Sequence, residues 1–197
     1  MVRPTVETLV TGGAGFIGSN FVSYALNAHP NWRITTLDKL TYAGRLENLQ
    51  KVIDNPRHRF VEGDVADAAV AGPLVRASDI VIHFAAETHV DRSLQEAGAF
   101  ITTDVYGSFV LLDAAREANR LRCFVQISTD EVYGSLERGD PAFSEVSVYA
   151  PNSPLQDFTP YTRAKAVLNL WAGVENITNN CLLYTSPSPR DLSTSRM

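Results

Sequence analysis

The stretch Gly12-Gly13-Ala14-Gly15-Phe16-Ile17-Gly18 constrains this chain more than any other. It follows a short β-rich run, residues 6–11, without a break, and it leads straight into residues 19–26, whose apolar side chains have helical spacing. The order is strand, glycine turn, helix, and repeated along a chain that alternation predicts a parallel sheet with helices crossing between its strands. The glycines satisfy G-x-G-x-x-G counted from Gly13 and G-x-x-G-x-x-G counted from Gly12. Glycine lets a backbone approach a pyrophosphate, and the helix N-terminus offers it free N–H groups and the positive end of a dipole. A second strand-like run, residues 33–37, ends in Asp38. That is about twenty residues past the glycines, where an acid binds the adenosine ribose hydroxyls. A carboxylate there repels a 2′-phosphate, so NAD is expected over NADP, an expectation the neighbouring Lys39 tempers.

The alternation continues. Residues 40–45 read as a polar loop, 46–53 as a short helix and 58–61 as the third strand, which ends near Asp64 and Val65. Asp64 could accept the adenine amino group or cap the helix expected over 66–77, and the residues alone support either role. Residues 79–84 form a continuous apolar strand of the kind a parallel sheet buries. It runs into Ala85-Ala86-Glu87-Thr88, where the small alanines would let a cofactor approach and Glu87 and Thr88 would face the cleft. Asp91 and Arg92 are most simply a local ion pair. A long helix is expected over 97–119, with Ala99, Val105, Phe109, Leu112, Ala115 and Ala118 on its apolar side. A fifth strand follows over 122–127. The pattern predicts a Rossmann-type, doubly wound parallel α/β sheet.

That fifth strand ends in Ser128-Thr129-Asp130-Glu131-Val132-Tyr133-Gly134. In an open α/β sheet, ligands bind where strands end, and adjacent carboxylates there suit a matched acid and base. A polar turn capping the next helix would use the same residue types. Residues 136–159 are rich in Pro, Ser and Asn and read as a long loop. Thr159-Pro160 then opens a helix on which Tyr161 and Lys165 share a face. A nearby ammonium lowers a phenol pKa and makes Tyr161 a usable base near neutrality.

The remaining composition mainly excludes. The net charge of -5 and the absence of a Lys/Arg stripe argue against a nucleic-acid surface. No apolar run approaches the length of a membrane span. The two cysteines, Cys123 and Cys181, suggest neither a disulfide nor a metal site, and a reducing cytoplasmic setting is expected. The histidines (His29, His58, His83 and His89) lack metal-ligand spacing and are expected to be structural or solvent-facing.

The glycine loop with Asp38, the Thr129 hydroxyl and the Tyr161/Lys165 pair resemble those of an extended short-chain dehydrogenase/reductase. Three segments, Asp38–Gly44, Ala85–Ser93 and Ile127–Gly134, are similar more narrowly to the dTDP-glucose 4,6-dehydratase family. The resemblance spans about residues 6–170. It implies an NAD site formed by Gly12, Gly15, Phe16, Ile17, Gly18, Asp38, Lys39, Leu40, Thr41, Asp64, Val65, Phe84, Ala85, Ala86, Thr103, Ser128, Tyr161 and Lys165. It implies sugar contacts from Glu87, Thr88 and Thr129, and catalytic roles for Thr129, Asp130, Glu131, Tyr161 and Lys165, with no metal. In the implied reaction Tyr161, helped by Lys165 and Thr129, takes the sugar C4 hydroxyl proton as the C4 hydride leaves for NAD. Glu131 removes the proton at C5, Asp130 protonates the departing C6 hydroxyl, and the hydride returns to C6. The implied substrate is a nucleotide-activated hexose. The rival readings are another nucleotide-sugar epimerase, dehydratase or decarboxylase, and a non-catalytic NAD-binding module.

Three departures from the family stand out. Asp104 occupies a position where asparagine is usual. Residues 155–160 look inserted ahead of Tyr161. From Cys181 onward the sequence resembles the translation of a sequencing-library adaptor, so residues 181–197 are read as a cloning or assembly scar, with 1–180 an incomplete NAD-binding domain. A fragment lacking the substrate domain is expected to be inactive. The homodimer the family implies, formed through the 97–119 helix and the Tyr161 helix, is left open for this chain.

Overall fold

The computed structural model describes residues 4–89, 94–129 and 139–142. Five parallel strands form one sheet: β1 (Val6–Thr11), β2 (Trp32–Asp38), β3 (His58–Glu62), β4 (Ile80–His83) and β5 (Cys123–Gln126). Their spatial order is β3-β2-β1-β4-β5. The chain therefore builds outward from β1 on one side, then crosses to the other side for β4 and β5. Between β1 and β4 the order reverses, and a crevice opens at the carboxyl ends of the strands. Register sets what meets there. Thr11 lies opposite Leu37 on β2 and His83 on β4, and His83 lies opposite Gln126 on β5.

Successive side chains on a strand point to opposite faces, and β1 shows it. Leu9 packs with Leu37, Val81, Phe124 and residues of α2 (Ala68–Arg76) and α4 (Ser108–Arg116). Val10 packs on the other face with Ile34, α1 (Phe16–Ala28), Leu49 and Val52. Both faces of the sheet are covered, as the doubly wound expectation requires.

Several elements differ from the sequence expectation, each for a local reason. Helix α1 begins at Phe16 rather than residue 19, with Gly15 as its N-cap, so its free amides face the glycine turn. The helix expected over 46–53 is a four-residue 3₁₀ turn, Leu46–Leu49. Leu49 at its end and Val52, whose amide donates to the Leu49 carbonyl at 2.9 Å in the turn that follows, both enter the core. Asp67, not Asp64, caps α2: its Oδ1 accepts from the Ala69 amide at 2.9 Å. The long helix is broken into α3 (Ala97–Phe100), a π-helical segment Ile101–Gly107, and α4. The wider π turn rotates the buried side onto Phe100, Thr103, Asp104, Gly107, Ser108 and Leu111, whereas Phe109 is exposed and Val105 only half-buried. The expectation that Val105 and Phe109 lie on the apolar side is thus corrected.

The sheet end opposite the crevice is tied by charge. Asp79 Oδ2 accepts from the Glu7 amide and from Arg120 Nη2, both at 2.8 Å. Burial raises the carboxyl pKa, but those two donors and the Arg122 charge outweigh it, and the net shift is downward. Arg57 closes the end of α1, its guanidinium donating to the carbonyls of Leu26 (2.6 Å), His29 (3.1 Å) and Trp32 (3.2 Å). Leu26 lies in the last turn of α1, where carbonyls have no helical partner. Arg57→Ala is expected to cost about 2 kcal/mol in a urea unfolding experiment, since charged donors contribute more than neutral ones.

His58 Nε2 lies 3.0 Å from Thr36 Oγ1. Desolvation lowers its pKa below 6.5, while a backbone group of Val52 pulls the other way. The folded imidazole therefore takes up a proton less readily than the unfolded one. Stability is then full above about pH 6.5 and declines as pH falls below it. The unfolding midpoint should drop between pH 7.5 and 5.5, and His58→Gln should remove that part of the drop.

Candidate functional site

A cleft of about 600 Å³ occupies the crevice at the carboxyl ends of the strands. Its floor is the glycine turn, with Gly12, Gly15, Phe16, Ile17 and Gly18. One side carries Leu37, Asp38, Lys39, Thr41, Ala43, Gly44, Gly63 and Val65, and the other Phe84, Ala85, Ala86, Glu87, Thr88, Thr103, Ile127, Ser128 and Thr129.

At Gly12 and Gly18 the floor has no room for a side chain. Gly12 has φ +68°, and a Cβ there would lie 2.5 Å from Ala85 N and 2.6 Å from its Cα. A Cβ on Gly18 would run into the Gly12 carbonyl oxygen. A Cβ on Gly13 would lie 2.6 Å from Thr36 Cγ2, so the glycines that open both spacings are sterically constrained. Phe16 and Ile17, both exposed, open α1 directly onto the cleft.

Asp38 supports this floor from below. It is buried; Oδ2 accepts from the Ala14 amide and Oδ1 from the Leu40 amide, each at 2.9 Å. The following loop doubles back over the same turn. The Arg45 amide donates to the Ala14 carbonyl at 3.1 Å and Asn48 Nδ2 to the same oxygen at 2.7 Å. Gly44 lies against the Asp38 carboxylate so closely that a Cβ would lie 2.5 Å from Oδ1.

Lys39 spans the cleft. Its Nζ donates to Thr103 Oγ1 at 2.8 Å and lies 3.6 Å from Asp64 and 3.8 Å from Glu87. Lys39 is thus committed to neighbouring oxygens and is poorly placed to receive a 2′-phosphate. Glu87 accepts from Tyr42 Oη at 3.2 Å, so its carboxylate, expected to face a sugar, is held by Tyr42 and Lys39.

Two expected wall residues stand back from the cleft. Leu40, at φ +53°, packs into the α1-side core. Asp64 closes a turn through Oδ1 on the Ala66 amide at 2.9 Å and presents Oδ2 to Lys39. Thr88, Thr103, Ser128 and Thr129 lie on the wall. Asp130, Glu131, Tyr161 and Lys165 lie outside the described residues, as do Asp91, Arg92, most of the 136–159 loop, the 155–160 segment and residues 181–197. Leu37, Ala43, Gly44, Gly63 and Ile127 line the cleft without having been named as site residues from the sequence. Ala43, Gly44 and Ile127 nevertheless lie in the segments that carry the family resemblance. Among the described residues no group of three His, Cys, Asp or Glu could hold a metal, and no helix is long and apolar enough to cross a membrane.

A glycine floor without room for a Cβ at Gly12 and Gly18, a helix N-terminus facing it and a buried carboxylate one strand away are the parts of a dinucleotide site. The fold and this crevice define a Rossmann-type nucleotide-binding protein. Residues 9–181 match the family model described as GDP-mannose 4,6 dehydratase, and the chain belongs to that family. It is 48% identical over 185 residues to a dTDP-glucose 4,6-dehydratase of Mycolicibacterium smegmatis, covering 89% of this chain and 53% of that protein. It is 47% identical over 165 residues to the low-salt glycan biosynthesis protein Agl12 of Haloferax volcanii, covering 84% and 50%. The crystal structure of DesIV, a dTDP-glucose 4,6-dehydratase from Streptomyces venezuelae with NAD bound, superposes with a TM-score of 0.81 at 42% identity, covering 92% of this chain and 55% of that one. The chain spans about half the length of the curated relatives it matches.

Proposed function

We propose that this chain is the NAD-binding half of a nucleotide-sugar 4,6-dehydratase acting on dTDP-glucose. The observation that carries the reading is the Gly12–Gly18 floor, closed against Ala85 and braced by Asp38. It fits a pyrophosphate over the start of α1 and an adenosine ribose beside β2. NAD bound there supplies a reversible hydride acceptor. The chain's own residues then supply position and protons. Thr129, on the wall, hydrogen-bonds the sugar C4 hydroxyl and Tyr161 takes its proton, its phenol made more acidic by Lys165. Glu131 removes the C5 proton and Asp130 donates one to the departing C6 hydroxyl, which requires their pKa values to be split. The adjacent acid pair favours dehydration over epimerisation.

Calorimetric titration tests the cofactor part. NAD should bind, and NADP at least about tenfold more weakly, because a 2′-phosphate would meet the Asp38 carboxylate. Equal affinities would overturn the assignment. The chain as given, half the length of these relatives, should form no 4-keto-6-deoxy sugar from dTDP-glucose, and detection of that product would refute this. If the full-length protein of the same gene binds NAD but yields no such product, the dehydratase reading fails and a binding module remains.

A further inference from the structure

We infer that His83 is a positioning residue for the dinucleotide, setting the 84–88 wall of the cleft through a hydrogen-bonded chain of fixed direction. The inference rests on the cofactor reading above. Thr11, His83 and Ser108 are all buried, at 0%, 1% and 0% exposure. They come from the end of β1, the end of β4 and the start of α4. The imidazole sits between the hydroxyls, with Nδ1 2.6 Å from Thr11 Oγ1 and Nε2 2.8 Å from Ser108 Oγ.

The direction follows from counting protons. Ser108 Oγ donates its proton to the Asp104 carbonyl at 2.8 Å. It must therefore accept from His83, so Nε2 carries the ring proton. Nδ1 is then an acceptor, and the Thr11 hydroxyl donates to it. Thr11 Oγ1 keeps a lone pair for the Ala85 amide, which lies 3.4 Å away. A neutral imidazole with this tautomer gives every one of these groups a partner. Leucine or phenylalanine would fill the space as well, in a core otherwise made of Leu9, Val81, Leu111 and Phe124, but neither could join the two hydroxyls.

The chain ends on the cleft wall at two points. Thr11 holds the Ala85 amide, and Asp104 Oδ1 accepts from the Glu87 amide at 2.8 Å. Asp104 is the residue whose carbonyl Ser108 holds. The alternate amides of the wall are thus fixed from β1 on one side and from the π-helical segment on the other, and His83 connects the two fixings. There is no slack beyond them, because the Phe84–Ala85 backbone lies directly against Gly12 on the cleft floor. A displaced Ala85 therefore moves the pyrophosphate turn.

The test uses the full chain with Thr11→Val and Ser108→Ala, near-isosteric cuts on opposite sides of the ring, and their double variant. Amide hydrogen exchange is read without ligand, and NAD affinity by calorimetry. Ser108→Ala should speed exchange at Ala85, across the ring from the change, by about fivefold or more, and each single variant should weaken NAD by about 5–10-fold. The double variant should be no worse than about tenfold rather than the product of the two, and Thr11→Ser should restore affinity. Unchanged Ala85 exchange in Ser108→Ala, multiplicative losses, or a lowered melting temperature with NAD affinity intact would each overturn the inference. If the parent chain fails to bind NAD, the cofactor reading falls and the positioning role with it, whereas the exchange data still report whether the chain of bonds exists.

Discussion

Gly12→Ala is expected to abolish measurable NAD binding and to lower the melting temperature. The residue sits at φ +68°, where an L side chain costs about 1–2 kcal/mol of strain. Its new methyl would also meet the Ala85 backbone at 2.5–2.6 Å, and backbone on both sides cannot yield by a rotamer change. The strand-to-helix turn must open or the 84–88 wall must retreat, and either displaces the amides that face a pyrophosphate. Together the terms amount to about 3 kcal/mol or more, roughly a hundredfold or greater loss in affinity by calorimetry. Gly98→Ala is the matched control. It lies in α3 with nothing within 4 Å of the added carbon, and alanine is the better helix former by about 0.5–1 kcal/mol. NAD affinity should be unchanged there. A Gly12→Ala protein that bound NAD normally would show that the floor of this cleft is not a pyrophosphate site.

Asp38→Asn is the second change of large expected effect. The carboxylate accepts one backbone N–H on each oxygen while buried. An amide of the same shape offers only one acceptor, so its NH₂ must face either the Ala14 or the Leu40 amide. Leaving a buried donor unsatisfied costs about 1–3 kcal/mol, more where a charged partner is lost. Loss of stability should therefore accompany a loss of NAD affinity of about tenfold, because Ala14 belongs to the glycine turn itself. NADP should lose less, since the charge that repels its 2′-phosphate has gone, and the NAD/NADP preference should narrow. Lys39 is not expected to take over the phosphate while Thr103, Asp64 and Glu87 hold it. A preference unchanged by Asp38→Asn would locate the discrimination elsewhere.

Much of the frame was legible because it rests on local chemistry. Strand, glycine turn and helix follow one another within about twenty residues, a range over which periodicity and backbone freedom are decisive. The same locality explains the misreadings. The expected 97–119 helix assumed a constant 3.6-residue period. The π turn at Ile101–Gly107 breaks that period and exchanges Val105 and Phe109 for Thr103, Asp104 and Ser108 on the buried side. Asp64 looked equally suited to two roles because nothing in the sequence reports that Asp67 has already taken the helix cap. What the sequence does not report at Glu87, which lines the cleft, is that Tyr42 and Lys39 reach its carboxylate from the loop after β2.

By itself, the sequence determined the parallel α/β alternation, the glycine floor at the end of the first strand and the acid at the end of the second. Each is a property of neighbouring residues, set by side-chain period, steric freedom at glycine or charge. Only the tertiary structure decided which polar groups would be spent on one another. Thr11 meets His83 across 72 residues, His83 meets Ser108 across 25, and Lys39 reaches Thr103 across 64. Those partnerships depend on the strand order β3-β2-β1-β4-β5 and on the widened turn before α4. No pattern along the chain encodes that convergence, yet it fixes the wall of the cleft and ties Glu87 and Lys39, which line it, to each other.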